Sequence, residues 1–122
     1  MLRHHLAGSV LFAAITISCE AFAHANLEKA VPPAGGTVTA SPSEIALTFS
    51  EGIEPKLSGI VLSDATGNKM ATGQPRIDPK SNAELIVPVT QSLSPSVYTV
   101  KWHVVSADSH KTQGTFTFTL KP

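Results

Sequence analysis

Between residues 97 and 106 apolar side chains fall on every second position. Tyr98, Val100, Trp102 and Val104 share one parity, and Thr99, Lys101, His103 and Val105 share the other. Period two belongs to a strand with one covered face, and no helix gathers such residues into a stripe. The alternation recurs at 44–50, where Ile45, Leu47 and Phe49 face inward and Ala46, Thr48 and Ser50 outward. It returns at 85–89 through Leu85, Val87 and Val89, and at 115–120 through Phe116, Phe118 and Leu120. Turn chemistry separates these runs: Pro32-Pro33-Ala34-Gly35-Gly36, Asp64-Ala65-Thr66-Gly67-Asn68 and Ser94-Pro95-Ser96. Proline forbids helix and glycine permits tight reversal. With shorter extended runs at 26–31, 37–40 and 59–63, about seven short strands are predicted, an all-β antiparallel sandwich of immunoglobulin-like type with Trp102 in its core. The cysteine pair of true immunoglobulin domains is missing.

The first residues belong to export rather than to the fold. Met1-Leu2-Arg3-His4-His5 is a short basic start, 6–18 is apolar, and Ala21-Phe22-Ala23 is a small-x-small cleavage site. That is the grammar of a secretory signal peptide, and the apolar run is too short to span a bilayer comfortably. The expected organisation is a cleaved leader over 1–23 and one exported domain over 24–122. Cys19, the single cysteine, offers a competing reading: it follows the apolar run where a bacterial lipoprotein carries its lipid. The preceding Thr16-Ile17-Ser18 lacks the leucine usual there. With cleavage after Ala23 no cysteine remains, so no disulfide is available and apolar packing alone must hold the domain.

The formal net charge is zero. Nucleic acids and anionic membranes select a basic excess, so neither is an expected partner. There is no Gly-x-Ser-x-Gly elbow, no phosphate loop and no evident nucleophile–base pair.

The histidines carry the chemistry. Cleavage after Ala23 makes His24 the first residue, whose α-amine and ring Nδ1 together close a chelate ring. The amine has a pKa of about 8, so a strongly binding divalent metal displaces its proton near neutrality. Further on, Asp108-Ser109-His110 spaces a carboxylate and an imidazole two residues apart, which lets both converge on one ion. In a sandwich the strand leading into Asp108 can bring this loop near the N-terminus. The set would then be the amine, His24, His110 and Asp108, a nitrogen and oxygen field suited to one Cu(II) ion. Each piece also has a plain reading: a chance residue at the cleavage point and a polar hairpin. Glu51, at the end of the 44–50 strand, is a surface glutamate or a carboxylate hydrogen-bonding a ligand rather than coordinating. His103, on the outward parity, reads as a surface histidine. Met70 is the one methionine beyond the leader, so a soft thioether site for Cu(I) cannot be assembled from this chain.

Several blocks together resemble the CopC family of periplasmic copper proteins. They are the leader followed by His24, Pro32-Pro33-Ala34-Gly35-Gly36, Leu47-Thr48-Phe49-Ser50-Glu51 and Tyr98-Thr99-Val100-Lys101-Trp102. The last runs from Val104-Val105-Ser106-Ala107-Asp108-Ser109-His110 to Gly114-Thr115-Phe116. The resemblance covers nearly all of 24–122. It implies a barrel-like Greek-key sandwich, a high-affinity Cu(II) site on His24, Asp108 and His110 with Glu51 beside it, and a role in copper tolerance or uptake. It also implies a membrane partner of the CopD type. Lacking a methionine cluster, the chain is similar to the Cu(II)-only members. Lys111 stands where a proline often follows the histidine.

A monomeric copper carrier or buffer, not an enzyme, is therefore the expected function. Two alternatives stand beside it. An oxidative copper enzyme uses the same kind of amine–histidine site, but needs a broad substrate face with exposed aromatics, and the aromatics here are few and mostly on inward parities. A metal-free structural sandwich would be indifferent to loss of His24.

Overall fold

The computed structural model describes residues 25–122. The expected leader, Cys19 and His24 lie outside the described residues. Eight strands form: β1 (Leu27–Val31), β2 (Thr37–Val38), β3 (Glu44–Phe49), β4 (Gly59–Ser63), β5 (Arg76–Asp78), β6 (Ser81–Pro88), β7 (Ser96–Val105) and β8 (Lys111–Leu120). A 3-10 turn, Pro55–Leu57, precedes β4.

They make two four-stranded sheets, ordered β1-β3-β6-β5 and β2-β8-β7-β4. The chain changes sheet at every step except within the β5–β6 and β7–β8 pairs, so the sandwich is sewn together by its connections. All pairings are antiparallel except β2 with β8. The proline–glycine turn makes the first crossing. Gly35 sits at φ 72°, where a side chain would be strained. Its N–H donates to the Thr117 carbonyl of β8 at 2.7 Å, docking the turn on the opposite sheet.

The inward parities supply the core. Ile45, Leu47, Phe49, Leu85 and Val87 of one sheet face Leu62, Tyr98, Val100, Val104, Phe118 and Leu120 of the other, all buried. Each such side chain contributes about 1.5–3 kcal/mol by leaving water, which lets so small a domain stand without a disulfide. Tyr98 is buried, and its hydroxyl donates to the Ser94 carbonyl, the tyrosine corner of immunoglobulin-like sandwiches. Burial, chiefly, pushes its phenol pKa up.

Four details depart from the sequence expectation. Trp102 is only half-buried: its indole lies across Gly114, where a Cβ would come within 2.4 Å of the ring, and meets Phe49 edge-on at 5.1 Å. Ala46, expected outward, is covered between Val31 and Ile86 of the flanking strands. β6 and β8 begin earlier than expected, at Ser81 and Lys111, because ladder hydrogen bonds extend each strand past its apolar run. β5 went unread because Ile77 alone is apolar in a stretch bounded by Pro75 and Pro79.

The longest pairing positions the site. β7 and β8 stay in register from Ser96 opposite Leu120 to Val105 opposite Lys111, and residues 106–110 close that hairpin.

Candidate metal centre

The closing loop is tight. The Ser106 N–H donates to the His110 carbonyl at 2.9 Å, and the Ser109 N–H donates to the Ser106 carbonyl at 2.8 Å. Ser109 adopts φ 71°, the left-handed residue that completes a three-residue hairpin loop.

Ser106 continues the inward parity of Tyr98, Val100 and Val104 and is 0% exposed. A hydroxyl so placed must be bonded. It donates to Oδ1 of Asp108, with the His110 carbonyl 3.2 Å away. The same Oδ1 accepts the His110 N–H at 3.4 Å, and Oδ2 stands 3.0 Å from His110 Nδ1. The Ser106 hydroxyl first, and His110 second, hold the Asp108 carboxyl below the usual carboxylate range, so it is an anion at neutral pH. An imidazole donating from Nδ1 presents the Nε2 lone pair, which is the nitrogen a metal would take. Both groups sit at the surface, the His110 side chain 52% and Asp108 35% exposed.

The segment after β3 buttresses the loop. Ala107 N–H donates to the Gly52 carbonyl and Glu54 N–H to the Val105 carbonyl, each at 2.9 Å. Ser58 accepts the Val105 N–H at 3.0 Å while donating to the Glu54 carbonyl at 2.7 Å. Glu51, half-buried, immediately precedes Gly52. Among the described residues no three His, Cys, Asp or Glu side chains gather, so Glu51 does not join the pair as a third member. His103 is exposed on the outer face of β7, opposite Gln113, with its ring against Gly59.

The start of the described chain reaches the same end of the sandwich. Ala25 is 1% exposed, and its carbonyl accepts the Thr112 hydroxyl at 3.0 Å, two residues beyond His110. Asn26 is bracketed by Ser50: its N–H donates to Ser50 Oγ and its carbonyl accepts the Ser50 N–H, both at 2.9 Å. The structure therefore pairs Asp108 with His110 and ties the residue that follows His24 to β8 two residues beyond His110. Ser106 and Thr112 were not singled out from the sequence. The signal was present, since each is a polar residue on the core parity of its strand, the informative exception in an apolar row.

An exposed imidazole–carboxylate pair at the end of a two-sheet sandwich, beside the entering chain, defines a small β-domain with a nitrogen and oxygen donor site. The CopC domain model matches residues 27–121, and the chain belongs to the CopC family. It is 43% identical over 100 residues to Protein YobA of Escherichia coli strain K12, covering 82% of this chain and 81% of that one. It is 37% identical over 120 residues to copper resistance protein C of Xanthomonas campestris pv. juglandis, covering 92% and 91% of the two chains. The crystal structure of CopC from Methylosinus trichosporium OB3b superposes with a TM-score of 0.75 at 33% identity, covering 81% of this chain and 95% of that one.

Proposed function

We propose that the chain is a periplasmic copper(II)-binding protein that carries or buffers one ion and performs no catalysis. The ligands are the amine and ring of His24 with His110 and Asp108. The observation that carries this reading is the Asp108–His110 pair, 3.0 Å apart, on the loop beside the anchored Ala25. The copper resistance protein among its relatives supports the choice of metal.

The donor chemistry fits. A carboxylate kept anionic, an imidazole and a terminal amine are the borderline and hard donors that Cu(II) takes in tetragonal geometry. In the present geometry Asp108 orients His110. While Oδ2 holds Nδ1 the carboxylate lies across the ring from Nε2, so coordination of the same ion by Asp108 requires Oδ2 to give up Nδ1, with Oδ1 remaining on the Ser106 hydroxyl. Leader cleavage after Ala23 is the step that makes His24 a chelator, so export and metal competence coincide. Glu51, one residue from the loop contact at Gly52, is assigned a hydrogen bond to a ligand rather than coordination. The exposure of His110 and Asp108 suits handover to a membrane protein of the CopD type, and suits either copper tolerance or uptake.

The test is a Cu(II) titration of the chain beginning at His24 against a competing chelator, with His110→Ala alongside. The variant should bind at least about 100-fold more weakly, the order expected when a ligand is lost from a site whose supporting groups alone are worth 10–100-fold. Equal affinity in the two proteins contradicts the assignment.

A further inference from the structure

We propose that Ser106 is the positioning residue of the metal site: in the metal-free chain its buried hydroxyl fixes the Asp108 carboxylate, which in turn fixes the ring of His110 before the ion arrives. This deepens the copper reading, since it names what sets the geometry of that same site.

Three observations converge. Ser106 has no exposed surface, although it lies at the mouth of a loop whose next four residues are all exposed. A serine there gives up the packing that the parity of Tyr98, Val100 and Val104 would otherwise reward, so its hydroxyl must do something an alanine could not. That hydroxyl bonds Asp108 Oδ1. Asp108 then has one oxygen held from the core side and the other on His110 Nδ1 at 3.0 Å. Finally, Ser106 itself is fixed by backbone on both sides. Its N–H meets the His110 carbonyl at 2.9 Å, its carbonyl accepts from Ser109, and it bridges Ile53. A rigid core position, a carboxylate and an imidazole thus form a linear relay, Ser106 to Asp108 to His110. Without the first member the carboxylate is an exposed side chain with free χ angles, and the imidazole loses its preferred tautomer. Groups that orient ligands in this way typically change metal affinity by about 10–100-fold when removed.

The experiment uses the chain beginning at His24 and compares wild type with Ser106→Ala and with Ser106→Val. The valine variant fills the space of the lost hydroxyl with a group that neither donates nor binds copper, and guards against a cavity effect. Thermal unfolding reports fold integrity. Nitrogen-15 NMR of the metal-free protein, at a fixed pH where His110 is neutral, reports its tautomer ratio. Competition titration and electron paramagnetic resonance report Cu(II) affinity and ligand field.

Wild type should populate mainly the Nδ1–H tautomer, and both variants should shift toward Nε2–H. Their Cu(II) affinity should fall by about 10-fold or more, with an altered resonance spectrum while both remain folded. Ser106→Ala introduced into Asp108→Asn should move the tautomer ratio no further, because the relay is already cut. Unchanged tautomer ratio and unchanged resonance spectrum in folded variants would overturn the proposal, as would additive effects in the double variant. Should wild type bind no copper while the tautomer shift and its non-additivity appear, the copper assignment fails and the relay stands. Should wild type bind tightly with the variants identical to it, the relay fails and the copper assignment stands.

Discussion

Two loops of this sandwich are each organised by an aspartate, and only one of them is a candidate site. In the turn after β4, Oδ1 of Asp64 accepts the Thr66 hydroxyl at 2.8 Å and the Thr66 and Asn68 N–H groups at 2.9 Å each. In the turn after β7, Asp108 takes a buried hydroxyl on one oxygen and an imidazole on the other. Hydrogen bonds lower both carboxyls, with the Thr66 hydroxyl leading for Asp64 and the Ser106 hydroxyl for Asp108. A depressed pKa therefore does not separate the two. The difference lies in the partners. Asp64 satisfies its own turn with its own turn's groups, a self-contained structural device. Asp108 links a core position to a metal-competent ring, beside the entering chain.

The largest expected effect breaks the comparison outright. Asp108→Ala should weaken Cu(II) binding at least about 10-fold, while Asp64→Ala should leave it at the wild-type value, as read by chelator competition. Equal losses in both would mean that the acidic turns attract copper without a site.

Each of the two loops also contains a left-handed residue, and the two positions are filled oppositely. Gly67 has φ 86° and open space where a Cβ would stand, so Gly67→Ala should cost about 1 kcal/mol through backbone strain alone. Ser109 occupies φ 71° with a side chain, so Ser109→Gly should stabilise by ~0.5–1 kcal/mol with little change in copper affinity. Denaturant unfolding of both variants measures this pair, and the same sign in both would refute the backbone argument.

The smallest effect is the pH dependence of the structural loop. The folded pKa of Asp64 is depressed, so its contribution to stability is fully present above the unfolded carboxylate range and is lost as pH falls through the folded value. The stability gap between wild type and Asp64→Asn should persist at neutral pH and close below about pH 4. Melting curves across that range check it, and a gap that widens on acidification would reverse the sign.

Period two was enough to read most strands and the inward set, because alternation and burial report the same physics. It was not enough for β5, whose pairing rests on backbone hydrogen bonds around a single isoleucine. Nor did it give the half-burial of Trp102, which depends on which residue lies opposite across the sheet, here Gly114. At the site, the two-residue spacing of Asp108 and His110 was visible but fits a polar hairpin as well, and only the structure shows the two side chains paired. Ser106 was not singled out, although its polarity on a core parity marks it. The tie from Thr112 to Ala25 joins residues 87 positions apart, a contact that no local pattern encodes.

The central claim, that copper is held jointly by this hairpin loop and by His24 as a chain terminus, is tested most directly by adding one residue. Cu(II) is titrated into the chain beginning at His24 and into the same chain with a single extra residue before it. Intact mass confirms the termini, and electron paramagnetic resonance with a competing chelator reports ligands and affinity. The account predicts tight binding with nitrogen-rich coordination in the His24-start form and a loss of at least about 10-fold in the extended form, where the amine has become a peptide nitrogen. Equal affinity and identical spectra in the two forms would contradict it.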